Sequence, residues 1–190
     1  MSRAYRIRVK ESLARDIRGE DCIETRLDII EVLPPEQTAE LLAAELKRRG
    51  FEEQEDGTLV RRDGDVTVVV DPCGGKVTVR AETEDRAEIE GTREGFGYND
   101  VGPTRRAIEE RLGKELRADL EKRVGEHEEK LQRAATGKLE EALQELQPEL
   151  RDAVERVTAE ALKQKAAQLG QIKEITEDPE AGSLTIKVEV

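Results

Sequence analysis

The single histidine of the chain, His127, lies among glutamates in the segment Gly125–Glu129. A histidine followed by a glutamate is typical of zinc metalloproteases, in which one helix carries two histidine ligands four residues apart. Leu131 occupies the place of the second histidine in this chain. Because zinc needs three or four converging ligands, the sequence predicts no metal site at His127.

Candidate nucleophiles are few. The three serines are Ser2, Ser12 and Ser183, and none lies near the histidine in sequence, so no Ser-His-Asp catalyst is predicted. Cys73 falls on a predicted turn without a histidine or a basic cluster that would favour its thiolate. We interpret Cys22 and Cys73 as two reduced thiols, and we predict neither an enzyme nor a bound cofactor.

The charge of the chain limits its partners. Charged residues make up 40% of the 190 residues, and the formal net charge is −12. A nucleic-acid partner is not expected, because binding phosphates requires a positive surface. The N-terminus has no apolar block typical of a signal peptide, and no apolar run approaches the about 20 residues of a membrane span. We therefore expect a cytoplasmic protein whose partners are other proteins.

The elements that would position such contacts begin with short β-type runs. Residues 4–10 and 22–30 alternate apolar and polar side chains and predict two antiparallel strands, with residues 18–21 as the turn between them. A proline pair then opens a helix over 35–49, and Gly50 follows where a left-handed cap is favoured.

A β-meander over residues 51–81 is the strongest local signal in the chain. Its turns are predicted at Asp56-Gly57, Asp63-Gly64 and Gly74-Gly75. Glycine in these pairs supplies the positive φ angles that two-residue hairpin turns require.

Residues 91–103 are rich in glycine and are predicted to form a connector. Phe96 and Tyr98 lie in it and make up half of the chain's aromatic residues. Exposed on a loop, the two rings would be natural anchors for a partner. In the alternative interpretation, they pack under the sheet as part of the core.

Residues 104–169 have the composition of a helical arm. An apolar stripe from Ile108 to Val124 winds around the helix, whereas beyond Gly137 the apolar residues, Leu143 and Leu150 among them, keep to one face. This change of pattern predicts a break near 136–138, and Pro148 predicts a kink or a second helix start near 147–148. The arm is then either a hairpin or one extended rod, and Leu143 and Leu150 are further candidates for partner contact.

The sequence therefore predicts an α+β fold. We expect an antiparallel β-sheet body with a packed helix, a long helical arm or hairpin and a C-terminal β-hairpin. The predicted organisation is a β-rich α+β body over 1–90, a connector over 91–103, an arm over 104–169 and a hairpin over 170–190 that returns to the body.

Several phrases of the sequence are typical of one family, and they lie at residues 1–12, 41–46, 49–51, 156–163, 166–170 and 177–188. They resemble an accessory family, one of the "X" domains of bacterial FtsH ternary systems. Those systems are predicted conflict or defence operons built around AAA+ ATPases. The resemblance implies a non-enzymatic cytoplasmic component that works with an ATPase partner, without a cofactor, and it assigns a role to no residue.

The leading hypothesis for function is a non-catalytic adaptor or assembly subunit that acts through protein–protein contacts. Copies of itself and an AAA+ ATPase are the expected partners, and we expect a homo-oligomer. The alternative is a ligand-sensing module that binds a small molecule or peptide between the sheet and the helices. A hydrolase or metalloenzyme is the third hypothesis.

Overall fold

A computed structural model shows the α+β fold that the sequence predicts. The structure describes residues 3–98, 102–178 and 183–189. In chain order the elements are β1 (Ala4–Arg26), α1 (Pro35–Arg48), β2 (Glu52–Glu53), β3 (Leu59–Asp63), β4 (Val66–Asp71), β5 (Lys76–Tyr98), α2 (Arg105–Leu169), β6 (Gln171–Asp178) and β7 (Ser183–Glu189). An antiparallel sheet has the strand order β1-β5-β4-β3-β2, and β6 and β7 form a separate two-stranded sheet.

The chain divides into two compact units, and each unit is assembled from two separate segments. The first unit comprises Met1–Asp21 and Glu82–Gly137, and the second comprises Cys22–Ala81 and Lys138–Val190. By these bounds β1, β5 and α2 each contribute residues to both units.

The second unit contains the predicted meander. Its turns use glycines with positive φ, at 82° for Gly57, 60° for Gly64 and 62° for Gly75, so the predicted turn chemistry is confirmed. The predicted helix also forms, and Gly50 follows it with a φ of 86°. Apolar residues of α1, the meander and the second half of α2 pack into one continuous core.

The predicted turn at residues 18–21 is wrong, because β1 runs unbroken from Ala4 to Arg26. Gly19 has a packing role in this strand. A Cβ atom at Gly19 would lie 2.5 Å from the backbone carbonyl carbon of Leu131 in α2. Only glycine allows the strand and the helix backbone to come this close.

The predicted connector at 91–103 is also wrong over its first part, because β5 continues to Tyr98. Gly91 and Gly95 lie in this strand under α2. A Cβ atom at Gly91 would lie 2.6 Å from Leu116 Cδ1, and one at Gly95 would lie 2.9 Å from Leu112 Cδ1. Because glycine has no side chain, these positions leave room for the leucines of the helix. The sequence alone does not reveal this role, because glycines are also typical of turns.

Helix α2 is continuous from Arg105 to Leu169, without the predicted interruptions near 136–138 or 147–148, and Pro148 lies inside it. The change of apolar stripe has a different physical basis. The division between the two units falls after Gly137, so the helix serves one set of packing partners before this residue and another set after it. The change in pattern marks a change of core, while the helix itself continues.

The C-terminal hairpin forms as predicted. Strands β6 and β7 pair antiparallel, with Ile172 opposite Val188 and Ile175 opposite Ile186, and with a register shift after Ile172. Most of the turn predicted between the two strands lies outside the described residues.

Candidate functional site

In the first unit, β1 and β5 turn one face toward α2 and the other toward solvent. Ile7 of β1 packs with Ile108 and Leu112 of the helix, and Ile17 packs with Val124. Residues at odd positions face the helix and residues at even positions are exposed, because side chains alternate along a strand.

Phe96 and Tyr98 occupy even positions of β5 and therefore share the solvent-facing side. Their exposed fractions are 63% and 54%. The alternative in which the two rings pack under the sheet is incompatible with this exposure. Both are presented by a hydrogen-bonded strand, in which the backbone has already lost the freedom that a loop would lose on binding.

One basic side chain of β1 lies over the Phe96 ring, and a second binds the nearby Glu94. The Arg6 guanidinium lies 5.7 Å from the centroid of the Phe96 ring. Arg8 Nε donates a hydrogen bond of 2.7 Å to Glu94 Oε1, and an Arg6 nitrogen lies 3.7 Å from Glu94 Oε2. Arg6, Arg8, Glu94, Phe96 and Tyr98 are referred to below as the aromatic patch.

The structure places Leu143 and Leu150 elsewhere. Leu150 is 6% exposed and belongs to the core of the second unit, and Leu143 is half-buried against the same core. Their regular helical spacing reflects packing against the chain's own sheet. Leu150 is thus covered by the chain's own core, whereas Leu143 keeps part of its side chain exposed, and contact of either with a partner stays a prediction.

Arg49 is the centre of an ion-pair network in the second unit that no pattern in the sequence had indicated. Arg49 Nη2 donates to Glu45 Oε1 at 2.8 Å and to Asp152 Oδ2 at 2.5 Å, and its Nη1 donates to the backbone oxygen of Glu149 at 3.0 Å. The hydrogen bond from Arg49 holds the pKa of Asp152 below its ordinary value.

Arg61 extends the same network. Its two terminal nitrogens donate to the two carboxylate oxygens of Glu149 at 2.7 and 2.9 Å, a bidentate arrangement. Its guanidinium also lies 4.7 Å from the centroid of the Phe51 ring. These groups satisfy one another, which indicates that the network joins α1, β3 and α2 and is not a binding site. Only the Glu45–Arg49 pair has helical spacing that a sequence pattern could have shown.

A cavity of about 340 Å³ lies in the second unit between the sheet and α2. Its lining combines the apolar side chains Val66, Val68 and Leu146 with charged groups. Four of the charged groups are already paired, since Lys138 forms an ion pair with Asp65 and Arg61 forms one with Asp63. The cavity therefore offers both apolar and charged lining groups.

The reactive side chains weighed for catalysis lie in different segments of the chain. His127 is exposed on α2, Cys22 is exposed on β1 and Cys73 is exposed after β4. Within the described residues, no three His, Cys, Asp or Glu side chains are grouped so that they could hold a metal ion.

Comparison with protein families adds one finding. The sequence profile described as "FtsH ternary system domain X5" matches the chain over residues 1–190. The chain belongs to this family. The family name identifies it as a component of a system of several proteins and implies protein partners, in agreement with the resemblance drawn from the sequence.

No curated protein and no solved structure matches the chain. Over the described residues, no helix combines the length and the apolar character that crossing a membrane would require.

Proposed function

We propose that this domain X5 chain is a non-catalytic adaptor or assembly subunit that binds another protein through the aromatic patch. The observation that carries the proposal is the exposure of Phe96 and Tyr98 side by side on one face of β5. Aromatic side chains bury a large apolar area at small entropic cost and recur among the residues that dominate interface energies.

The non-catalytic part of the proposal rests on the placement of the reactive groups. His127, Cys22 and Cys73 are each exposed in a different segment of the chain, and among the described residues no three His, Cys, Asp or Glu side chains are grouped to hold a metal ion. Nucleophilic catalysis needs a nucleophile within hydrogen-bond reach of a base. A surface that binds proteins needs no such arrangement.

The family name supports a proposal about the class of partner. We infer that the assembled protein works with an AAA+ ATPase of the same FtsH ternary system, in the cytoplasm and within a conflict or defence response. The positive charge of Arg6 and Arg8 beside the aromatic rings, in a chain of net charge −12, favours a partner surface that carries carboxylates.

The test is size-exclusion chromatography with light scattering on the purified chain, alone and mixed with the other proteins of its ternary system. The wild-type chain is expected to form an oligomer or a mixed complex, and the double variant Phe96→Ala/Tyr98→Ala is expected to lose it. Ile30→Ala is the matched control, because Ile30 is 64% exposed and lies outside the patch. A wild-type chain that stays monomeric and alone, or a double variant that assembles like wild type, would contradict the proposal.

The cavity of the second unit favours one second candidate, the ligand-sensing module. Its position between the sheet and α2 is where a ligand was expected from the sequence. A thermal-shift screen with small metabolites would reveal a ligand as a reproducible rise in melting temperature. Ala142→Trp is designed to fill the cavity, so a true ligand should lose its effect in that variant.

A further inference from the structure

The solvent-facing side of β1 and β5 in the first unit separates its charges along the strands. One end carries the aromatic patch and the cations Arg6, Arg8 and Lys10, with Glu94 as its carboxylate. The other end carries the carboxylates Asp16, Glu20, Glu82, Glu84, Glu88 and Glu90. Arg18 and Arg86 are the cations among them. One end of this face is thus positive and aromatic, and the other end is negative.

Pairing within the face leaves this asymmetry in place. At the negative end, Arg18 lies 2.7 Å from Glu82 and Arg86 lies 3.0 Å from Glu88, so carboxylates already occupy both cations. Among the described residues, Lys10 at the positive end and Glu90 at the negative end have no ion-pair partner. Each end therefore has charge left for an external partner.

Along each strand, short side chains separate the two charged ends of the face. Ser12 and Ala14 of β1 and Thr92 of β5 are exposed between the two charged ends. Short side chains at the centre allow a second surface to approach closely while the long side chains at the ends reach across.

We propose that this face is self-complementary and that a second copy of the chain binds to it in antiparallel orientation. A twofold axis in the interface, perpendicular to the strands, places the positive aromatic end of each copy opposite the negative end of the other. The parallel arrangement would bring like charges together, which is unfavourable. The antiparallel arrangement is isologous and closed, so it forms a dimer and not a filament.

The area available is consistent with a dimer. A twofold symmetric dimer buries Phe96 and Tyr98 of both copies. In the single chain these side chains are 63% and 54% exposed. The four rings then contribute roughly 400–600 Å², about a third of a standard interface of about 1,600 Å². The remainder comes from the charged side chains and the short central residues.

This inference rests on the proposed function in one respect, since both use the same face for assembly. Sedimentation equilibrium of the chain alone tests the inference. If the dissociation constant is of micromolar order, nearly all of the protein should be dimeric at about 0.1 mM in low salt. The positive-end variant Arg6→Glu/Lys10→Glu and the negative-end variant Glu84→Lys/Glu90→Lys should each raise the dissociation constant at least about tenfold. In a mixed dimer, the unchanged negative end of the first variant faces the unchanged positive end of the second. Mixing the two variants should therefore recover dimers.

The matched control is Lys114→Glu/Lys130→Glu, which changes the net charge by the same amount on exposed positions of α2. It should dimerise like wild type, and circular dichroism should show that every variant is folded. A monomer at about 0.1 mM in low salt, or a dimer that neither end variant weakens, would overturn the inference. A chain that stays monomeric but still binds another protein of the system through Phe96 and Tyr98 would overturn the inference that a second copy covers this face. The proposed function would remain supported.

Discussion

The two units of the molecule hold their strands against the same helix in different ways. In the second unit, α1, the meander and α2 contribute to one continuous apolar core. In the first unit the strands contact α2 through small separate clusters around Ile7 and Ile17, and through glycines that let helix and strand approach closely. One unit depends on buried volume, and the other depends on the fit between glycines and helix side chains.

The two units therefore differ in what they contribute: the second stabilises the fold, and the first exposes a surface that a partner can bind. The second unit buries large side chains from several elements and stabilises them with the Arg49 network. The first unit leaves one full face of β1 and β5 open to solvent, with Phe96 and Tyr98 on it. Substitutions in the second unit should therefore change folding, whereas substitutions on the open face should change assembly.

The largest expected effect tests the second unit. Arg49→Ala leaves the carboxylate of Glu45, a residue only 7% exposed, without its buried partner. The free energy of unfolding should fall by about 3–5 kcal/mol, measured by urea denaturation. Arg48→Ala is the control, because Arg48 also approaches Glu45 but its side chain is 79% exposed, and it should cost at most about 1 kcal/mol. Equal losses for the two variants would mean that burial of the pair is not what stabilises this unit.

Leu150 and Phe96 test the distinction between core and surface directly. Leu150→Ala should lower the free energy of unfolding by about 2–5 kcal/mol, because it opens a cavity in a packed core. Phe96→Ala should change it by less than about 0.5 kcal/mol, because the ring is exposed. Denaturation curves of both variants provide the comparison, and a strongly destabilised Phe96→Ala would show that the open face contributes to folding.

Gly19 tests the packing of the first unit. Gly19→Ala introduces a Cβ atom 2.5 Å from the backbone of Leu131, so strand and helix must separate at a cost of about 1–3 kcal/mol. Gly125→Ala in α2 is the control, because nothing lies within 4 Å of its new Cβ atom, and it should stabilise the protein by about 0.5–1 kcal/mol. Thermal unfolding checks both signs, and a stabilising Gly19→Ala would exclude the close contact.

The smallest effect concerns pH and the Arg49 network. The folded-state pKa of Asp152 is lowered, first of all by its hydrogen bond from Arg49. This contribution to stability is present above the ordinary aspartate pKa of about 3.9 and is lost as the pH falls through the folded value. Since the Asp152 side chain is 48% exposed, the contribution should stay below about 1 kcal/mol.

Melting temperatures of wild type and Asp152→Asn should therefore differ near neutral pH and converge in acid. Glu155→Gln is a control on the same helix, because Glu155 is exposed and has no ion-pair partner among the described residues. A difference that persists unchanged at low pH would assign the effect of Asp152→Asn to something other than its charge.

Local chemistry explains which parts of the fold could be predicted. Asp-Gly and Gly-Gly pairs determine tight turns by themselves, so the meander and the helix that ends before Gly50 were predictable. The glycines at 19, 91 and 95 resemble turn residues in sequence, but their role depends on α2, which comes later in the chain. Distinguishing the two uses of glycine requires the tertiary contact.

The same reasoning applies to the candidate site. The sequence singled out Phe96 and Tyr98 but left open whether the rings are exposed or packed under the sheet, and it placed them on a connector where the structure has a strand. Leu150 lies in the core, which the sequence could not show, because an amphipathic stripe indicates that a face is buried without showing what covers it. The Arg49–Asp152 contact joins residues about a hundred positions apart, and no spacing rule can find it.

The order of segments in the two units has a consequence for how the protein emerges from the ribosome. The first unit begins at residue 1 but requires the chain as far as Gly137, and the second unit requires residues beyond Lys138. The meander, whose contacts are local, is the part that can form earliest during synthesis. The long strand β1 must wait, with its apolar face uncovered, until its helix has been translated, so the nascent chain should depend on holdase chaperones more than its size alone would suggest.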